Sequence, residues 1–434
     1  MSPKTNQKLK FHISDLFFGI LFFLASQRFS LNDIDEYIAI LIIPFIIINL
    51  INQKSDKFIF YYLIFLFLSV DRPHNIDSYT TIDFLRRIIY LLLLIYIFLK
   101  INFRINYKII FLLTFSVSLG LINGLLSGVH YKFSQVQIDL IMIVFFFCCL
   151  CNKPFLNPII INFNHLFLKL SFYIFFYLIG ELLNILFYNK LHYINLNSLK
   201  SFIAIPLIYF LFKKKYFNFL IYLIPTFVVI NSYSTRMIFL LLICIFILFI
   251  IKMRVNFLKL LFFFIIPLVS YYALIDLLPF TKVNQVIRLA DFQYTNLNNL
   301  LSSLSETRYL ENVLFFSQNI TSILFGNGIG SGIYDSNNIL SSVSYDETAF
   351  SREELDTRWF FGFHDFHIDI GVRFGLLLFI IILFKLIYSF FLVKDNNKSL
   401  YLALIIFYFP LTFFSVPGVL FLIILTIMLN SEAN

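Results

Sequence analysis

The sequence predicts an all-α fold, a polytopic integral membrane bundle of about 12–14 transmembrane helices. Three observations predict it. The 434 residues are 60% hydrophobic and only 13% charged, where a soluble domain carries nearly twice that charge. Apolar runs long enough to cross a hydrocarbon core of ~30 Å recur from end to end. Basic residues gather in alternate connecting loops. A large soluble protein is excluded, because so few polar residues cannot cover its surface.

The apolar runs fall at 13–27, 37–52, 58–70, 85–101, 109–127, 134–150, 165–188, 199–212, 216–231, 237–251, 257–276, 368–393, 399–415 and 417–430. Each is expected to be a helix, since lipid offers no partner to an unpaired amide. The basic start, MSPKTNQKLKFH, shows no cleavage signal and leads into a retained anchor. Its lysines share one face with Lys54/Lys57, Lys100/Arg104/Lys108, Lys153, Lys213–Lys215, Lys252/Arg254/Lys259 and Lys394/Lys398. Short basic loops mark the cytoplasmic side. Both termini are therefore expected in the cytoplasm, with an even number of crossings. The chain reads as a single membrane domain, 1–434, with a large outer loop at 277–367 inserted before the last helices. Cys148, Cys149, Cys151 and Cys244 all sit inside apolar runs and read as small hydrophobes rather than metal ligands. The excess of Phe, Ile, Asn and Lys reads as an AT-rich coding bias.

Arginine is distributed differently from lysine. Arg28, Arg72, Arg86, Arg87, Arg236, Arg288, Arg308, Arg352, Arg358 and Arg373 all fall on the expected outer face. A guanidinium suits forked recognition of phosphate or carboxylate, which points to an anionic substrate at the outer boundary. Arg352 and Arg358 have a simpler reading as partners of Asp346, Glu347, Glu353, Glu354 and Asp356. Arg236 and Arg373 lie against apolar helices, where a charge is costly without a polar cavity or partner.

Three segments carry the chemistry. Arg236 stands at the outer mouth of a helix in NSYSTRMIFLLL. Residues 303–320 have helical spacing, with Leu304, Tyr309 or Leu310, Val313, Leu314 and Ile320 able to share a face. This predicts an amphipathic surface helix, and it runs into GNGIGSG, whose Gly326, Gly328 and Gly330 permit a tight backbone path. No strand precedes that turn, so it is not a dinucleotide-binding loop. Then FHDFHIDIGVRFG re-enters the membrane. His364 is placed for proton transfer near neutral pH; His367 reads as a structural histidine.

The order of these parts resembles the bacterial O-antigen polymerase and O-antigen ligase superfamily. Thr235-Arg236 matches its helix-opening pair. Arg308 through Gly326, Gly328 and Gly330 matches its Arg-headed segment ending in a Gly turn. His364, Ile368 and Gly375 match its third stretch, with Gly375 eleven residues after His364. Asp365 replaces the usual Asn, and Arg373 stands where an acidic residue is often found. The match covers residues 230–380; the first half agrees in hydropathy alone.

The resemblance implies a glycosyltransferase of the bacterial inner membrane, acting at the periplasmic face without metal or cofactor. Its implied substrate is an oligosaccharide linked to undecaprenyl diphosphate, cradled by apolar helices beside membrane lipid. A chain-length regulator protein is an implied partner, and no nucleic acid is. The chemistry would be inverting displacement at the anomeric carbon. Arg236 and Arg308, then Arg288 and Arg373, would stabilise the leaving diphosphate. His364 would take the acceptor's proton or orient its hydroxyl. Gly326, Gly328 and Gly330 would help shape the substrate groove. Composition and span number favour a polymerase, which lengthens the lipid-linked glycan, over a ligase, which transfers it to lipid A–core. A flippase for the same lipid is the non-enzyme alternative, for which Asp139, Lys169, Glu181 and Lys385 would be membrane-embedded ionisable groups.

Overall fold

The structure is a computed structural model that describes residues 13–26, 34–52, 55–68, 81–100, 107–150, 163–188, 203–233, 306–340, 350, 352–363, 366–392, 396–409 and 416–430. Among them are fifteen helices and two short strands. In chain order these are α1 (Ile13–Ser26), α2 (Ile34–Ile51), α3 (Ser55–Leu68), α4 (Thr81–Lys100), α5 (Tyr107–Leu126), α6 (Phe133–Leu150), α7 (Phe163–Tyr188), α8 (Ile205–Phe212) and α9 (Tyr216–Tyr233). There follow α10 (Glu306–Phe316), α11 (Ile320–Phe325), β1 (Ile333–Tyr334), α12 (Arg352–Thr357), β2 (Trp359–Phe360), α13 (Phe366–Leu392), α14 (Asn396–Tyr408) and α15 (Val416–Asn430). The apolar runs at 237–251 and 257–276 lie outside the described residues.

Among the described residues, three helical stretches are long and apolar enough to cross a membrane: Tyr107–Leu126, Leu166–Asn184 and Phe366–Ser389. One expected span is cut back sharply. The run 199–212 contains the eight-residue α8, which starts at Ile205, carries Pro206 in its first turn and is buried from Ile205 to Leu211. Eight residues rise ~12 Å, too little for the hydrocarbon core. Proline suits a first turn, where its missing N–H is not needed.

The chain forms two compact units. The first comprises residues 1–70, 159–194 and 199–280. Its centre is the seam between α1 and α7. Asp15 accepts a hydrogen bond from the Tyr173 hydroxyl at 2.8 Å and pairs with Lys169 at 2.7 Å. At the other end of the seam, Asn184 donates to the Ser26 carbonyl at 2.7 Å. These contacts make α1 and α7 parallel. Gly19 lets them approach: a Cβ there would stand 3.0 Å from the Phe176 ring. Phe22 stacks on Phe67 at 4.7 Å, and Tyr177 meets the same ring edge-on. The turn from α8 to α9 is Lys213–Lys215, closed by the Lys215 amide on the Phe210 carbonyl at 2.9 Å.

The second unit comprises residues 71–158, 195–198 and 281–434. Here α5 and α6 form an antiparallel pair, and α6 runs parallel to α13. Asp139 meets Arg373 at one level, and the Lys385 ammonium donates to the Leu150 carbonyl at the other. The second contact satisfies an orphan carbonyl at a helix C-terminus. Phe146 meets Phe374 edge-on, and Phe145 packs against Phe409. Cys148 and Cys149 are buried in α6. The described residues between 306 and 363 form a cap with its own apolar core: Leu314, Phe315, Ile333, Leu340, Phe350, Phe360 and Phe363 close onto Ile368 and Val372 of α13.

The expected surface helix at 303–320 is broken in two. Ser317 and Gln318 turn the chain, with the Ser317 hydroxyl bonding back to the Leu314 carbonyl at 2.8 Å, and α11 restarts after Asn319. Such side chains compete with the helical ladder for backbone partners. The buried face is also rotated from expectation. Glu311, Leu314 and Phe315 are enclosed, while Val313 and Ile320 are exposed.

Lys169→Ala should leave the buried Asp15 carboxylate without its cation. The expected cost is about 3–5 kcal/mol, read as a lower unfolding temperature in detergent. The double substitution Asp15→Asn/Lys169→Met should recover much of it.

Candidate functional site

The end of the second unit that bears the cap is organised by a break in α13. At Gly375 the helix adopts φ 79° and ψ 150°, so the helical ladder is interrupted there. The carbonyls of Val372 and Arg373 find other donors. The Asn327 amide bonds to Val372 at 2.6 Å and the Gly328 amide to Arg373 at 3.1 Å. The turn after α11 is therefore stitched into the broken helix. Irregular backbone at this depth is tolerated only where protein surrounds it.

The glycines make that approach possible. Gly326, Gly328 and Gly330 have φ of 77°, 95° and 76°, a region that L-residues avoid. A Cβ on Gly326 would lie 2.6 Å from Arg373 backbone atoms and 2.7 Å from the Gly375 nitrogen. One on Gly328 would meet Leu121 Cα at 2.9 Å. Asn123 of α5 donates to the Gly326 carbonyl at 2.9 Å and lies 3.1 Å from both Ser322 Oγ and Asn327 Oδ1. The Tyr131 hydroxyl, from the loop joining α5 to α6, donates to the Asn327 carbonyl at 3.2 Å. Burial pushes that phenol's pKa up, which keeps it a donor.

Arg373 lies beneath the turn, 1% exposed. Its Nη1 stands 2.6 Å from Asp369 Oδ2 and donates to the Asp369 carbonyl at 2.8 Å. Its Nε lies 3.3 Å from Asp139 Oδ2, an ion-pair contact outside hydrogen-bond alignment. Its Nη2 donates to the Phe361 carbonyl. Asp139 in turn accepts the Gly330 amide at 2.6 Å, and Asp369 accepts the Phe363 amide at 3.2 Å. One guanidinium thus connects α6, both sides of the cap and the first turns of α13.

Four of the residues expected to bind substrate lie in this frame. The amides of Gly326, Gly328 and Gly330 bond to Ser322, Arg373 and Asp139. The Arg373 guanidinium is enclosed by protein carboxylates and carbonyls. All four build the frame. The physical reason is the break at Gly375, which demands donors that the turn supplies. His367 Nε2 lies 3.0 Å from Asn312 Oδ1. Glu353 of the acidic loop pairs with Lys132 at 3.0 Å, and Glu354 accepts the Phe361 amide at 2.8 Å. Arg358 is exposed. Arg236, Arg288 and His364 lie outside the described residues, as does the Arg308 side chain; Arg308 itself belongs to α10.

The sequence reading missed Asn123, and it named Asp139 only as an ionisable group of the flippase alternative, not as the partner of Arg373. Asp139 had a usable signal, a carboxylate inside an apolar run at a helical separation from a loop of the same face. Asn123 had none beyond its place between Gly120 and Gly124. Compared with family models, curated proteins and solved structures, the chain matches none.

Arg373→Met should strand two buried carboxylates and cost about 3–5 kcal/mol. Unfolding followed in detergent should show a large drop, with the cap newly open to protease. Arg87→Met, at an exposed side chain, should change neither.

Proposed function

We propose that this protein is a glycan polymerase of the bacterial inner membrane. It would move a growing chain from undecaprenyl diphosphate onto the next lipid-linked repeat at the periplasmic face. The frame is taken as a bundle of about 12–14 crossings with both termini cytoplasmic. One observation carries the reading. Two of the three family-like motifs, more than forty residues apart, meet backbone to backbone at Gly326 and Gly375. The meeting lies at the end of α13 that bears the polar cap, and His364 falls between Phe363 and Phe366 of that cap in sequence.

In this reading the acceptor hydroxyl attacks the anomeric carbon with inversion. The C–O bond to the lipid diphosphate breaks, and the diphosphate leaves with the bonding pair. Arg236 and Arg308 stabilise the charge that develops there. Arg288 assists. His364 takes the hydroxyl proton or orients it. Arg373 acts by holding the turn and the helix start in place. No metal or cofactor is needed for this division of labour.

The flippase alternative rests on ionisable groups within the membrane. Asp139, Lys169 and Lys385 each have a fixed partner, in Arg373, Asp15 and the Leu150 carbonyl. Such pairing favours a scaffold over a moving ion path. A ligase would use the same leaving group. Loss of a polymerase leaves single repeats on the lipid A–core, whereas loss of a ligase leaves a bare core.

Arg236→Ala, Arg308→Ala and His364→Ala should each abolish polymer in a deletion strain while the protein stays in the membrane at normal amount. Full-length polysaccharide from all three would overturn the site assignment.

A further inference from the structure

The loop joining α5 to α6 adds a third segment to the two-stranded β1–β2 ribbon. The Lys132 amide bonds to the Gly330 carbonyl at 2.9 Å, and the Gly332 amide to the His130 carbonyl at 3.2 Å. Ile333 pairs with Phe360 and Tyr334 with Trp359. Alternation then sorts the side chains by face. Ile333 and Phe360 point into the cap core, 1% and 2% exposed. The other face carries Tyr334, Trp359 and Phe361, crossed by His130 and Lys132. His130 stacks on Trp359 with ring centres 4.6 Å apart, and Tyr334 tilts on the same indole at 5.3 Å. Lys132 lies over the Phe361 ring and pairs with Glu353. A Cβ on Gly332 would meet Phe361 at 2.9 Å, so glycine is needed for that ring to lie flat.

We propose that this aromatic face is a carbohydrate subsite, which holds a sugar ring of the glycan against Trp359 and its neighbours. Three features select this occupant. The rings are partly open, with Tyr334 44% exposed, yet backed by a closed core that keeps them rigid. Their rim is charged and hydrogen-bonding: it carries the Lys132–Glu353 pair, and Arg358 and Thr357 beside Trp359 in sequence are exposed. A pyranose offers a C–H face to the rings and hydroxyls to that rim, whereas an acyl chain would meet the charges. Finally, Arg358 holds φ 60° immediately before Trp359. A non-glycine residue in that region is strained, and the corner turns the indole onto the outer face. The choice of a glycan as ligand rests on the polymerase reading.

Trp359 is the only tryptophan in the chain, so intrinsic fluorescence reports this face alone. The test uses the full-length protein in nanodiscs of phosphatidylethanolamine and phosphatidylglycerol. The probe is oligosaccharide released by mild acid from the cell's own lipid-linked glycan. The proposal expects a saturable change in Trp359 emission, with affinity weakened roughly tenfold by Tyr334→Ala and by His130→Ala, about the worth of one aromatic contact. Three results overturn it: no response to the oligosaccharide, a response the variants leave unchanged, or emission that follows lipid composition alone, which would make the face an interfacial anchor. Binding is read without turnover, so it separates from the polymer assay. Loss of the polymerase reading alone would leave the Trp359 titration intact, and failure of the subsite alone would leave the arginine and histidine variants inactive.

Discussion

A single enclosed guanidinium carries the architecture of the end that bears the cap. Arg373 lies seven residues into α13, roughly 10 Å along the helix from its start at 1.5 Å per residue. It faces Asp369 on its own helix and Asp139 on α6. An isolated charge there would be prohibitive, and a pair is stable only if its remaining hydrogen-bonding capacity is filled. The carbonyls of Phe361 and Asp369 and the amides of Gly330 and Phe363 fill it. Those bonds fix where the cap sits and why the turn must be glycine-rich. The broken helix, the turn and the ion pairs form one solution to one problem.

That solution also bears on which arginines the proposed chemistry would use. A guanidinium committed to two carboxylates has little field left for an incoming diphosphate. In the proposed polymerase, Arg236, Arg308 and Arg288 do the electrostatic work, and Arg373 keeps the re-entry point from moving. A catalytic group on a rigid shoulder holds its geometry better than one on a free loop. The ribbon of aromatic rings lies on the same cap and shares its apolar core, so recognition at the proposed subsite would be mechanically joined to the frame.

Much of the fold was legible in the amino-acid sequence, for a clear physical reason. Lipid forces apolar runs into helices, so hydropathy alone placed α1–α7, α9 and α13–α15 to within a few residues. The misses came where tertiary structure overrides that rule. Pro206 sits in the first turn of a short buried helix inside a run that reads as a crossing. Ser317 and Gln318 split a periodic segment whose spacing suggested one continuous helix. The site was partly legible. Its glycines were found, because left-handed backbone has few alternatives, but their role was not: nothing local says that Val372 and Arg373 will need donors. The ion pair between Asp139 and Arg373 spans more than two hundred residues, and no sequence periodicity reports it. The aromatic face depends on a register between three distant segments and was equally hidden.

The central claim is that the polar cap works outside the cell's inner membrane. Ser127, in the exposed turn after α5, and Asn319, in the exposed turn before α11, sit on that end. With Cys148, Cys149, Cys151 and Cys244 replaced by Ala, Ser127→Cys and Asn319→Cys supply single labelling sites. Both should react with a membrane-impermeant maleimide in intact spheroplasts. If they react only after the membrane is permeabilised, the cap is cytoplasmic and the proposed glycan transfer has no place to occur.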